Sequence, residues 1–158
     1  MAQTTRIKER QAAQAQRIKQ AQAFMVPDNI DVAILGGGAA GLCAAITAAE
    51  VLGTNKRVVV FEKALESGRT ILATGGGRCN FTNADLSFEN FSHPEFVQAV
   101  CKDKDTFLAD ILAFFRSSGL AWATEDEGRM YPLTRQASSI QSLLLKRAQK
   151  AGVQFALG

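Results

Sequence analysis

Ile30-Asp31-Val32-Ala33-Ile34-Leu35-Gly36-Gly37-Gly38-Ala39-Ala40-Gly41 is the stretch on which the fold turns. A short apolar run rich in β-branched residues meets three glycines, the pattern of a buried parallel strand that ends in a tight turn. An Ala-rich segment from Ala39 to about Leu52 follows and reads as a helix, stopped by Gly53-Thr54-Asn55. Arg57-Val58-Val59-Val60-Phe61 is then a second buried strand. Strand, helix and strand in so short a span make a βαβ unit, whose crossover is right-handed almost without exception.

Gly36, Gly38 and Gly41 fit the spacing G-x-G-x-x-G, placed directly after a strand and opening a helix. That context gives each glycine a mechanical role. Gly36 permits the turn, Gly38 lets the backbone approach a pyrophosphate, and Gly41 lets helix pack closely on strand. Ala39 and Ala40 belong to the helix N-terminus, which turns unbonded N–H groups and a partial positive charge toward phosphate. Glu62 lies 21 residues after Gly41 at the end of the second strand. A carboxylate there accepts hydrogen bonds from a ribose and repels a 2′-phosphate. The stretch predicts a dinucleotide site in an α/β, Rossmann-type domain.

Downstream, Ala64 to Phe91 has little periodicity and many Gly, Asn, Thr and Ser residues, so it reads as mostly loop. Its centre is Gly68-Arg69-Thr70-Ile71-Leu72-Ala73-Thr74-Gly75-Gly76-Gly77-Arg78-Cys79-Asn80-Phe81-Thr82-Asn83. Thr74, Gly75 and Gly76 are small enough for backbone N–H groups to come close to a ligand, and Arg78 can offset negative charge. Asn80 and Asn83 are read as loop-ordering residues that bond the backbone. Cys79 has no Cys-x-x-Cys partner and is read as structural, with Cys43 and Cys101 as small core residues.

The first glycine motif, the Val60-Phe61-Glu62-Lys63 strand end and the run Gly75-Gly76-Gly77-Arg78-Cys79-Asn80-Phe81-Thr82-Asn83 together resemble the HI0933-like flavoprotein family, the BaiN or YhiN-type NAD(P)/FAD-dependent oxidoreductases. The resemblance continues through Gly128-Arg129-Met130-Tyr131-Pro132 and Ala151-Gly152-Val153. It departs at Thr70, where the family usually has Lys. It implies FAD as cofactor, with NADH or NADPH as reductant, and cofactor contacts at Gly36, Gly38, Ala39, Ala40, Gly41, Glu62, Lys63, Gly68, Arg69, Thr74, Gly75, Gly76 and Arg78. It also implies a longer enzyme with a discontinuous flavin domain, of which this chain carries the N-terminal part. The missing C-terminal half as a separate chain is then an expected partner, and a truncated, non-catalytic dinucleotide-binding module from a split gene is the alternative. The glycine-rich loop after Glu62 favours FAD over NAD, since a minimal NAD fold needs no such segment. No residue is assigned as catalytic, and the substrate is an unspecified small molecule.

The rest of the chain reads as further elements around this unit. Thr5 to Phe24 is a Gln- and Ala-rich helical leader carrying Arg6, Lys8, Arg10, Arg17 and Lys19 against Glu9, broken by Val26-Pro27-Asp28-Asn29. Residues 1–29 thus form a basic leader and linker, and residues 30–158 the Rossmann-type part. His93-Pro94 opens a helix with a buried stripe of Phe96, Val97 and Val100. Asp103 caps a second, with Phe107, Leu108, Ile111, Leu112, Phe114 and Phe115 turned inward. Leu120 to Thr124 and Arg129 to Leu133 form a hairpin with Trp122 and Tyr131 as core. Gln136 to Lys150 is a helix, and Val153 to Leu157 a third parallel strand.

Composition bounds the function classes. Hydrophobic residues at 47% and charged residues at 21% are ordinary for a globular chain. The net charge of +3 is concentrated in the leader, so the broad basic surface of a nucleic-acid binder is absent. There is no membrane-length apolar run, no signal-peptide pattern, no paired metal-ligand cysteines and only three cysteines. A cytoplasmic protein without nucleic-acid or membrane partners is the expectation.

Overall fold

The computed structural model describes residues 2–101 and 103–158, and it divides into two compact units. Within the leader, the side chains of Arg10 and Arg17 lie outside the described residues.

The first unit comprises residues 2–69 and 144–158. Helix α1 (Ala2–Ala23) is followed by strand β1 (Val32–Leu35), helix α2 (Ala39–Leu52) and strand β2 (Val58–Glu62). Strands β1 and β2 pair in parallel, Val32 opposite Val58 and Leu35 opposite Phe61. The start of β1 is fixed by Asp31, whose carboxylate accepts from the Arg57 N–H at 2.8 Å and from Lys56 Nζ at 3.0 Å. Those bonds, the Arg57 amide first, hold the Asp31 carboxyl below the usual carboxylate range.

α2 is apolar nearly all round, and the face it turns inward buries Leu42, Ala45, Ile46 and Ala49; Val58, Val59 and Val60 of β2 are buried too. Each large side chain so removed from water contributes about 1.5–3 kcal/mol before the entropy of ordering is subtracted. Gly53, at φ +76, ends the helix with its N–H on the Ala49 carbonyl. The last strand of the sheet, here the third, pairs with β2 rather than β1. β1 is therefore an edge.

The second unit is residues 70–143. It holds a short strand β3 (Thr82–Asn83), helices α3 (Pro94–Cys101) and α4 (Lys104–Ser117), and strands β4 (Trp122–Thr124) and β5 (Arg129–Pro132). The strands form an antiparallel sheet in the order β3, β5, β4. Asp103 caps α4 as read from the sequence, its carboxylate accepting from the Thr106 N–H at 2.8 Å. Phe81, Phe114, Phe115 and Trp122 pack edge to face, with centroids 4.8 Å apart for Phe81 and Phe115. Helix α5 (Ala137–Lys150) begins in this unit and ends in the first, where β6 (Gln154–Leu157) joins β2 in parallel. Near its end, Arg147 bonds both oxygens of Glu50 at 2.7 and 2.8 Å.

Three local expectations are corrected. β1 is not a buried strand: Ala33 and Leu35 are exposed, Leu35 by 86%, because β1 has one neighbour and α2 shields one of its faces. The stripe on α3 is not buried either; Phe96 is 67% and Val100 65% exposed. An eight-residue helix has few turns with which to cover its own apolar side. The stretch read as loop contains β3, too short at two residues to show a period of two.

Candidate functional site

The first glycine loop is fastened on three sides within its unit. The Gly36 N–H donates to the Phe61 carbonyl at 2.8 Å, which ties the turn to β2. Gly37 donates to Glu62 Oε2 at 2.7 Å, and the Gly37 carbonyl accepts the Gly68 N–H at 2.6 Å. Gly36 sits at φ +96, a left-handed conformation that suits glycine. At Gly41 the reason is proximity: a Cβ would collide with the Gly36 carbonyl and come within 3.4 Å of Ile34 Cγ2. Turn and helix thus interpenetrate where a side chain would otherwise stand.

Gly38 occupies the N-cap of α2 at φ −75, ψ −171 and offers no side-chain cap. The N–H groups of the first turn, on Ala39, Ala40 and Gly41, have no intrahelical acceptor. They form the positive end of the helix dipole, an arrangement suited to an anion. Around it the backbone is pinned, so an anion would meet donors already in place.

Glu62 does two things at the end of β2. Its Oε1 accepts the Ala64 N–H at 2.8 Å and its Oε2 the Gly37 N–H, so the carboxylate staples the strand end to the glycine loop. These two amides, Ala64 the larger influence, hold its carboxyl below the ordinary glutamate value. Each oxygen retains a further lone pair for a hydroxyl donor.

Beside Glu62 the carboxyl ends of β2 and β6 bound a cleft of about 360 Å³, lined there by Phe61, Glu62, Lys63, Ala156 and Leu157. Sequence reading missed two members of this site. Ser67 is buried under Gly37, where a Cβ would strike its Oγ, and Ala64 supplies one of the two amides on Glu62. Neither carries a residue type that points to chemistry, and only the fold reveals them.

The second glycine loop lies in the other unit. Gly75, Gly76 and Gly77 all have positive φ, at +53, +64 and +85, so the chain makes a left-handed run that side chains resist. Cys79 follows at φ +60, buried, its N–H on the Thr74 carbonyl at 3.0 Å. Arg78 stacks over the Tyr131 ring at 4.4 Å and pairs with Glu125 at 3.3 Å, which also pairs with Arg135 at 3.0 Å. Arg78 and Arg135 thus share the one Glu125 carboxylate. Asn80 Oδ1 accepts the Met130 N–H at 3.2 Å, and Asn83 bonds the Glu127 carbonyl and the Asp85 N–H, the ordering role read from their residue type.

Of the thirteen positions expected to contact cofactor, Gly36, Gly38, Ala39, Ala40, Gly41, Glu62, Lys63, Gly68 and Arg69 are in the first unit. Thr74, Gly75, Gly76 and Arg78 are in the second. Tyr131 is buried, as expected of a core residue, while the exposed His93 imidazole lies 3.5 Å from Glu95. Burial pushes the Cys43 thiol up, against activation as a thiolate. Among the described residues no group of three or more His, Cys, Asp or Glu could hold a metal ion, and no helix is long and apolar enough to cross a membrane.

A parallel sheet, a glycine turn opening a helix, and an acidic residue ending the second strand define a Rossmann-type nucleotide-binding domain. The chain belongs to the HI0933-like protein family, whose Rossmann domain it matches over residues 30–158. It is 38% identical over 129 residues to a 3-dehydro-bile acid delta(4,6)-reductase of Clostridium scindens, covering 80% of this chain and 31% of that protein. It is 28% identical over 132 residues to a ribosomal RNA dihydrouridine synthase of Escherichia coli, covering 82% of this chain and 32% of the relative. A solved structure of THI4 from Thermovibrio ammonificans superposes with a TM-score of 0.53 at 18% identity, covering all of this chain and 47% of that one, a likeness of fold. The chain spans about a third of the length of the curated relatives it matches.

Proposed function

We propose that this chain is the FAD-binding part of a flavin-dependent oxidoreductase, with the FAD pyrophosphate at Gly36, Gly38, Ala39, Ala40 and Gly41 and the adenosine ribose on Glu62. The observation that carries the reading is the N-terminus of α2: an uncapped helix start behind a turn that accommodates no side chain at Gly41. The pinned loop fits a pyrophosphate, since its donors are ordered before the ligand arrives and little entropy is lost on binding. Bound FAD would supply the hydride chemistry, and the protein its position and surroundings.

Within that division of labour, Glu62 holds the ribose while keeping the loop closed. Lys63, exposed beside it, and Gly68 and Arg69 flank the adenosine end. Thr74, Gly75 and Gly76 serve the flavin end through backbone N–H groups. Arg78 holds that loop against Glu125 and Tyr131. NADH or NADPH is the proposed reductant. The relatives' names point to two different substrates, a bile acid and ribosomal RNA, while their likeness to this chain lies in its Rossmann part. A shared Rossmann part beside differing substrates supports a cofactor-binding role for this part of the chain.

Gly38→Val tests the reading cleanly, because φ −75 with an extended ψ is open to valine and the fold should survive. By calorimetric titration of the chain with FAD, the variant should bind at least about tenfold more weakly, a loss of 1.4 kcal/mol or more. Equal affinity of the two proteins would overturn the assignment.

A further inference from the structure

Helix α1 and the turn after it precede the part of the chain that matches the family, which begins at residue 30. They nevertheless contribute to the cleft at the ends of β2 and β6: Ala21, Phe24 and Val26 line it together with Glu62 and Leu157. We infer that this N-terminal extension builds one wall of the adenine subsite, with Phe24 as the stacking face, so that it sets affinity for the adenosine half of the cofactor. The inference rests on the reading of Glu62 as the ribose ligand.

Position is the first argument. In an open parallel sheet, ligands lie beyond the carboxyl ends of the strands, and this cleft is at the carboxyl ends of two neighbouring strands. It is continuous with Glu62, so a ribose on that carboxylate would hold its base within reach of the cleft. Size is the second. About 360 Å³ is near the lower end of the roughly 300–1,000 Å³ usual for small-molecule sites. Such a cleft takes a nucleoside, with the pyrophosphate left to the glycine loop.

Chemistry is the third argument. Among the described residues lining the cleft, Glu62 and Lys63 are the charged ones, and Phe24, Val26, Phe61 and Leu157 are apolar. A flat heteroaromatic ring with polar edges suits such walls, and a phosphate does not. The Phe24 N–H bonds the Ala21 carbonyl at 3.3 Å, so the aromatic residue is anchored to the end of α1. Near α1, a Cβ built on Gly158 would lie 3.9 Å from Ala21 Cβ, which locates the helix end at the end of β6.

The test is calorimetric titration of the 158-residue chain with ADP, which carries adenine, ribose and pyrophosphate but no flavin. Phe24→Ala should weaken ADP binding roughly tenfold, the order expected when one aromatic–base stack is removed. Phe24→Tyr should keep the affinity within about twofold, since a second aromatic ring preserves the stack. Unchanged ADP affinity in Phe24→Ala, or an equal loss in Phe24→Tyr, overturns the adenine wall. Gly38→Val separates the two readings: if it loses ADP while Phe24→Ala does not, the pyrophosphate site stands and the wall falls. An unsubstituted chain that binds neither ADP nor FAD overturns both.

Discussion

The two glycine-rich loops solve different problems with the same residue. In the first, Gly36 to Gly41 connect regular elements, and Gly36, Gly37 and Gly41 each have a neighbour or a dihedral that explains them. The Gly41 position is filled by the Gly36 carbonyl, and Gly36 itself turns the chain at φ +96. In the second, Gly75 to Gly77 make a left-handed run between irregular segments, and Gly76 has open space where a side chain would stand. One loop is held by the sheet behind it. The other is held by side chains from distant positions, Glu125 and Tyr131 on Arg78 and Asn80 on Met130. The contrast teaches that a glycine can be demanded by close packing or by backbone conformation alone, and the two demands differ in cost.

Gly41→Val should produce the largest effect. Its side chain would overlap the Gly36 backbone, which the Phe61 carbonyl holds in place, so the turn and β1 must move together. A loss of about 3 kcal/mol or more is expected, at or beyond the upper end of overpacking costs. Urea denaturation should show a lower midpoint, and an unchanged midpoint would mean the loop is softer than described.

The second loop offers an internal contrast. Gly75→Ala places a Cβ 2.8 Å from the Asn80 nitrogen and 3.3 Å from Tyr131, on top of a left-handed φ, and should cost about 2–3 kcal/mol. Gly76→Ala meets nothing within 4 Å and should cost only the conformational part, about 1–2 kcal/mol. Thermal melts of the pair measure the difference. Equal losses would show that conformation alone rules the loop, and that the Asn80 contact yields easily.

The smallest effect concerns Glu62 and pH. Its carboxyl is held below the ordinary value of 4.5 by the Ala64 and Gly37 amides. The stabilisation it brings is complete above the unfolded-state value and disappears as pH falls from there through the lowered folded-state value. Glu62→Gln has no such titration, so its stability should fall less steeply below about pH 4.5. Parallel stability-versus-pH curves for the two proteins would separate Glu62 from the loop it closes.

Much of the first unit was legible because its signals are local. The strand at Ile34 and Leu35, the glycine turn, the helix Ala39–Leu52 and the strand ending at Glu62 follow one another within the range of hydrophobic periodicity. The Asp103 cap was legible for the same reason, since the capping carboxylate and the Thr106 N–H that donates to it are three residues apart. The exposure of Leu35 and Phe96 was not, because burial depends on what packs against an element and not on the element's own pattern. The Glu125, Arg78 and Arg135 cluster joins Glu125 to residues 47 and ten positions away, with no spacing to announce it. Of the proposed site, the glycines and Glu62 were readable from the motif. Ser67, Ala64 and the Phe24 wall emerge only when strand ends and helix ends are brought together.

The position of β1 at the margin of the parallel sheet gives the first unit a gradient of mobility. β2 has hydrogen-bonded neighbours on both sides, and its Val58, Val59 and Val60 are fully covered, so its amides can exchange with solvent only when the unit opens as a whole. Among the described residues β1 shares its ladder with β2 alone, and half of its peptide groups point the other way. Those groups are expected to exchange by local fraying, without unfolding β2. The strand that leads directly into the first glycine turn is thus expected to be more labile than the strand that ends in Glu62, and the Gly36–Phe61 bond is where the labile part is clamped to the durable one.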